Sequence, residues 1–231
     1  MNNNEICMQK TFNTATAVEY IKKHSKDYKL FKKVPELPLQ QYIKGDKLVA
    51  IIDLETMGLE CTKHKIIEIG IIVLSVSDTR QFKAVHQVYS SLQDPCTAIP
   101  HFITNLTGIT NGKVQGHKID WDRVLDLIET VDAVICHNAS FDRKFLINQT
   151  PSLVSDVFKT KRFACTKQGI AWAEQGYQNT KLDYLNFVNE YFYDAHRAIN
   201  DCWATLNIVR QTGSFPELLN TTKREVFDEK S

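Results

Sequence analysis

The sequence predicts an α/β domain, and three observations carry that prediction. The run Leu48-Val49-Ala50-Ile51-Ile52, continued by Asp53-Leu54-Glu55, is apolar without alternation, as in a strand buried on both faces at the centre of a sheet. Ile66–Leu74 and Gln81–Tyr89 follow at short intervals as two further strands, which is the pattern of an antiparallel meander. Val131–Cys136 then reads as a strand passing at once into a helix, the β–α step of an α/β sheet.

Ahead of the central strand, residues 1–47 form a basic extension. Nine lysines against five acids give it a net charge of +4 within a chain total of +1, so the remainder carries −3. Thr16-Ala17-Val18-Glu19 has the spacing of a capping box, and Ala17, Tyr20, Ile21, His24 and Tyr28 recur at helical intervals, predicting a short amphipathic helix. Val34-Pro35-Glu36-Leu37-Pro38 predicts an extended linker. The lysines read first as a solvated outer face and second as a contact for a phosphate backbone. Residues 48–215 then make the main domain and 216–231 a C-terminal tail.

After the meander, Ile99–Thr104 predicts a short helix closed by the turn signals Thr107-Gly108 and Asn111-Gly112. A helix from Asp120 places Trp121, Val124, Leu125 and Ile128 on one face. Ser140 is the expected N-cap of the helix after Cys136, with Asp142 in its first turn, where the helix dipole favours a carboxylate. Ala164-Cys165-Thr166 predicts a short strand, followed by helix to Gln175. Lys181–Tyr191 predicts another helix, with Leu182, Leu185, Phe187 and Val188 inward. The last long helix is expected to begin at Asp194 as N-cap and to bury Ala198, Ile199, Cys202, Leu206 and Val209.

A chain of 231 residues suits one domain with an appendage. Its six cysteines contain no C-x-x-C pair and read as reduced thiols, with Cys136 and Cys202 buried. No apolar run reaches the roughly 20 residues that span a bilayer, and Met1-Asn2-Asn3-Asn4-Glu5 lacks the pattern of a signal peptide, so a cytoplasmic location without a membrane partner is expected. The near-neutral charge excludes a protein that coats nucleic acid by bulk electrostatics, but not a local binding groove.

Asp53 and Glu55 stand two residues apart on a strand and therefore project to the same side. Like charges at the edge of a core repel and lose hydration, so the pair calls for a divalent cation. Asp142, in the first turn of the helix after another strand, and Asp201, bordering the apolar stripe of the last helix, are the further acids that fit such a site. His196 precedes Asp201 by five residues and diverges from it on a regular helix, so cooperation requires it in the first turn or the loop before. Glu68, an acid within an apolar strand, reads as structural or as an exposed bulge rather than as a ligand.

Read together, D-x-E-T-x-G-L at 53–59, H-N-x-x-F-D at 137–142 and H-x-x-x-x-D at 196–201 resemble the three motifs of the DEDDh, or DnaQ-like, exonucleases, the family of the proofreading subunit of bacterial DNA polymerase III and ribonuclease T. Lys65–Gly70 and Leu106–Thr110 extend the likeness, which spans residues 48–210. It implies a ribonuclease H-like fold, a mixed five-stranded sheet with helices on both sides. It also implies 3′–5′ exonuclease activity that releases nucleoside 5′-monophosphates from single-stranded DNA or RNA. Asp53, Glu55, Asp142 and Asp201 would bind two divalent cations, Mg²⁺ or Mn²⁺, and His196 would act as general base. Thr56, Met57, Gly58 and Leu59 resemble the segment that holds the terminal nucleotide.

Met57 departs from the threonine of many relatives and reads equally as a base contact or as core. Thr107 stands where several relatives carry histidine. His137 and Asn138 read as braces of a turn, and Phe102, Phe141, Phe163 and Trp172 as buried before base-stacking. The alternative from another class is a non-catalytic nucleic-acid-binding or polymerase-associated module on the same fold.

Overall fold

The computed structural model describes residues 14–24 and 29–220. Tyr28 of the expected first helix and most of the expected tail lie outside the described residues. In chain order the elements are α1 (Thr14–Lys23), β1 (Lys32–Lys33), β2 (Lys47–Thr56), β3 (Ile66–Val76), β4 (Phe82–Leu92), α2 (His101–Thr107), α3 (Asn111–Val114) and α4 (Trp121–Glu129). They continue as β5 (Ala133–Cys136), α5 (Ala139–Gln149), α6 (Ser152–Thr160), β6 (Arg162–Cys165), α7 (Thr166–Gly169), α8 (Leu182–Val188), β7 (Tyr191–Phe192), α9 (Ala198–Gln211) and α10 (Phe215–Asn220).

Five strands form one mixed sheet in the order β4-β3-β2-β5-β6. β2, β3 and β4 are the antiparallel meander, whereas β5 runs parallel to β2, and β6 to β5. β2 is central because its side chains are apolar on both faces. Val49 and Ile51 join one core with Trp203, Leu206 and Val209 of α9, while Ala50, Ile52 and Leu54 join a second with Val124 and Ile128 of α4 and Phe145 of α5. The alternation of a strand thus assigns odd-numbered residues of β2 to the α9 side. The acids at 53 and 55 inherit that side.

The extension is attached to the domain. β1 pairs in parallel with β7, Val34 is buried in the α9-side core, and Leu39 bridges Val85 of β4. The lysines Lys32 and Lys33 remain exposed.

Several local expectations are corrected. α5 begins two residues earlier than the Ser140 cap requires, with Asn138 at the cap position, so Ser140 lies inside the first turn. The segment after β6 holds only the four-residue α7, because Trp172 turns into the core and donates from Nε1 to the Thr166 carbonyl at 2.7 Å. In α8 the inward position after Leu185 belongs to Asn186, whose amide donates to the carbonyls of Leu182 and Ala204. Phe187 and Val188 consequently face outward, and Phe187 stacks on Phe31 at 4.7 Å between centroids. α9 begins at Ala198 rather than near Asp194, whose carbonyl instead accepts from Asn200.

Candidate active site

The site forms at the C-terminal ends of β2 and β5, where the sheet edge meets the start of α9. Asp53 and Glu55 project from β2, and Asp201 comes from the first turn of α9. One oxygen of each of the three carboxylates lies within 4.8 Å of the other two. Asp142 stands outside that group, in the first turn of α5, where its carboxylate accepts the Leu54 N–H of β2 and so borders Asp53.

Burial and mutual repulsion leave these acids poorly disposed to ionise together. Asp53 is raised well above the ordinary carboxylate range by burial, then by Asp201 and Asp142. Burial, followed by Asp201 and Glu68, pushes Glu55 up to about 8. Burial likewise raises Asp142 to about 8, against the pull of its backbone hydrogen bonds. Asp201 rises to about 6, burial outweighing the opposing charge of His196 and the hydrogen bonds from Tyr193, Arg197 and His196. An all-oxygen donor set of this kind fits a hard divalent cation, which would supply the missing positive charge.

His196 lies in the loop immediately before α9, exposed and with a left-handed backbone (φ 62°). Its position there resolves the helical divergence, since Asp201 reaches back over the loop. The Asp201 carboxylate accepts the Arg197 N–H at 3.1 Å and the Tyr193 hydroxyl at 3.2 Å. Tyr193 was not legible as a site residue, because a tyrosine three positions before a histidine carries no pattern of its own. Arg197 was equally silent in the sequence.

Glu68 is structural. It is 1% exposed and bound through both carboxylate oxygens by Arg197.

The four residues at 56–59 differ in what they offer a ligand. The Thr56 hydroxyl donates to the Gly58 carbonyl at 2.6 Å, and the Met57 side chain packs with Ile67, Ile99, Ile103 and Ile109, which makes Met57 core. Gly58 lies beneath the His64 ring, with no room for a β-carbon, and Leu59 is 83% exposed. Thr107 is buried and bonds its own helix. His137 braces the turn between the Thr166 hydroxyl and the Thr180 carbonyl, and burial lowers it to about 4. Trp172 is buried and Phe141 and Phe163 partly so, but Phe102 is 65% exposed on the outer face of α2, contrary to expectation.

A family model described as an exonuclease matches residues 50–209, which spans every acid of the site and His196. The chain belongs to the DnaQ-like (DEDDh) 3′–5′ exonuclease family. This exonuclease domain is 29% identical over 175 residues to a DNA polymerase III PolC-type of Clostridium perfringens, covering 71% of the present chain and 11% of the polymerase. A second PolC-type polymerase, from Caldanaerobacter subterraneus, is 29% identical over 161 residues, covering 68% of this chain and again 11% of the polymerase. The exonuclease chain therefore spans only a small part of those relatives. Among solved structures, the nuclease domain of 3′hExo, a DEDDh protein bound to rAMP, aligns with a TM-score of 0.58 at 20% identity over 76% of this chain and 96% of that one. Exonuclease X in complex with 5′ overhanging duplex DNA aligns at 0.53 with 22% identity, over 76% and 99%. Both show the ribonuclease H-like fold. Membership of the family implies use of divalent metal at the acidic cluster. No helix among the described residues is long and apolar enough to cross a membrane.

Proposed function

We propose that this chain hydrolyses phosphodiester bonds from the 3′ end of single-stranded DNA or RNA and releases nucleoside 5′-monophosphates. The observation that carries the reading is the convergence of Asp53, Glu55 and Asp201 within 4.8 Å, with Asp142 beside them and His196 at the rim. Asp53, Glu55, Asp142 and Asp201 would hold two Mg²⁺ or Mn²⁺ ions, which when bound neutralise the phosphate and make water a better nucleophile. Asp53, next to Glu55, Asp142 and Asp201, would be among the residues holding the ions. His196, exposed beside Asp201, takes the proton of the attacking water, and Asp201 fixes its loop through the Arg197 N–H. Leu59 stands free to meet the terminal nucleotide, while Thr56, Met57 and Gly58 shape the floor beneath it.

The PolC likeness supports a polymerase as a partner of the domain, and a cytoplasmic location belongs to the same reading. A purely binding module would keep four crowded carboxyls, each opposed from ionising, to no chemical end, which favours catalysis. The test is a 5′-labelled oligonucleotide incubated with Mn²⁺: stepwise shortening from the 3′ end supports the reading. An intact oligonucleotide bound without turnover favours the binding module instead.

A further inference from the structure

Glu68 belongs to β3, directly across the ladder from Glu55, yet its carboxylate takes three N–H donors from the start of α9. Arg197 donates from Nε at 3.1 Å and from Nη2 at 2.6 Å, and the Ala198 backbone N–H donates at 2.9 Å. The last is one of the helix N–H groups left without an intrahelical acceptor, so Glu68 caps α9 from a neighbouring strand. Two residues along, on the same face, Gly70 lets the helix start lie directly on β3. A β-carbon there would come within 2.6 Å of the Ala198 carbonyl carbon and the Ile199 nitrogen. Glu68 is also the register partner of Glu55, and Gly70 of Asp53. The strand that pairs with the first acids is thus the seat for the loop bearing His196.

We propose that Glu68 and Arg197 are positioning residues that fix the left-handed His196 loop against the acid group, so that His196 meets the attacking water in one orientation. Arg197 directly follows His196, and its guanidinium is held at two of its three nitrogens, Nε and Nη2. Its backbone N–H is held as well, by Asp201. The peptide after His196 is therefore pinned from two sides while the imidazole stays exposed. A bidentate guanidinium–carboxylate pair fixes direction as well as distance, which a lysine does not reproduce. The inference rests on the exonuclease reading of the site.

The experiment is a mutant cycle of the full chain, using kcat, KM, the pH profile of kcat and calorimetric Mn²⁺ affinity. Wild-type turnover is measured first, and its absence overturns the exonuclease reading and this inference with it. With an active wild type, E68Q and R197K are expected to lower kcat about 10²-fold, the scale of a small misplacement of a reacting group, with KM and Mn²⁺ affinity close to wild type and the pH profile altered. In an H196A background the same substitutions are expected to cost little more, because no base remains to be positioned. Full kcat in E68Q and R197K, or an equal loss with and without His196, overturns the clamp alone. If circular dichroism shows E68Q unfolded, R197K, whose side chain is partly exposed, carries the same cycle.

Discussion

Glu55 and Glu68 face each other as register partners across β2 and β3, yet they enter different company. Glu68 is held by Arg197, whereas Glu55 turns to Asp53 and Asp201. One strand pair thus supplies both an acid that organises the loop and an acid whose charge awaits a cation.

That asymmetry predicts a reversal of stability. Without metal, Asp53→Asn removes a carboxyl whose ionisation burial and its acidic neighbours oppose, so in chelator near pH 8 the variant should melt above the wild type. With Mn²⁺ the order should invert, because the wild type gains binding free energy that the variant lacks. Differential scanning calorimetry in both conditions checks it. Activity should fall by about 10²–10³-fold or more in the same variant.

The pH dependence follows from the same acids. Their folded pKa values lie above the unfolded ones, so the stability they contribute is whole below the ordinary carboxylate range and is lost as pH rises through about 6 for Asp201 and about 8 for Glu55 and Asp142. The Tm in chelator should therefore fall across that interval. The stabilisation by Mn²⁺ should grow across it, as protons cease to compete for the carboxylates. A Mn²⁺ effect independent of pH would speak against the acids as ligands.

His196→Ala should retain Mn²⁺ binding, since no acid is removed, and lose about 10²–10⁴-fold in kcat. Calorimetry paired with single-turnover kinetics separates the two effects. Unchanged kcat would remove His196 as the base.

Gly70→Ala is expected to destabilise the fold by about 1–3 kcal/mol, the scale of overpacking, because its β-carbon meets the backbone of α9 rather than a side chain that can swing away. The shift would also carry Asp201 away from Asp53. Thermal melts and Mn²⁺ titration of the variant should therefore worsen together.

The parts of the fold that were legible in the sequence are those written in periodicity. β2 to β4 and the passage from β5 to α5 follow from apolar runs, and the odd-numbered acids of β2 could be placed on one side of the sheet. Caps and short segments were less legible, since tertiary partners decide them. α9 starts at Ala198 because Glu68 caps it from another strand, not because Asp194 precedes it. Phe187 faces outward because Phe31 of the extension stacks on it and Asn186 bonds inward. The parts played by Tyr193 and Arg197 arise from contacts between distant segments, which no local spacing encodes.

The most direct test of the central claim is chromatography of the products released from a single-stranded oligonucleotide by the wild type and by Asp201→Asn in Mn²⁺. Nucleoside 5′-monophosphates are expected to accumulate from the 3′ end with the wild type, and almost none with the variant. Release that is equal in both, or products bearing a 3′-phosphate, would contradict it.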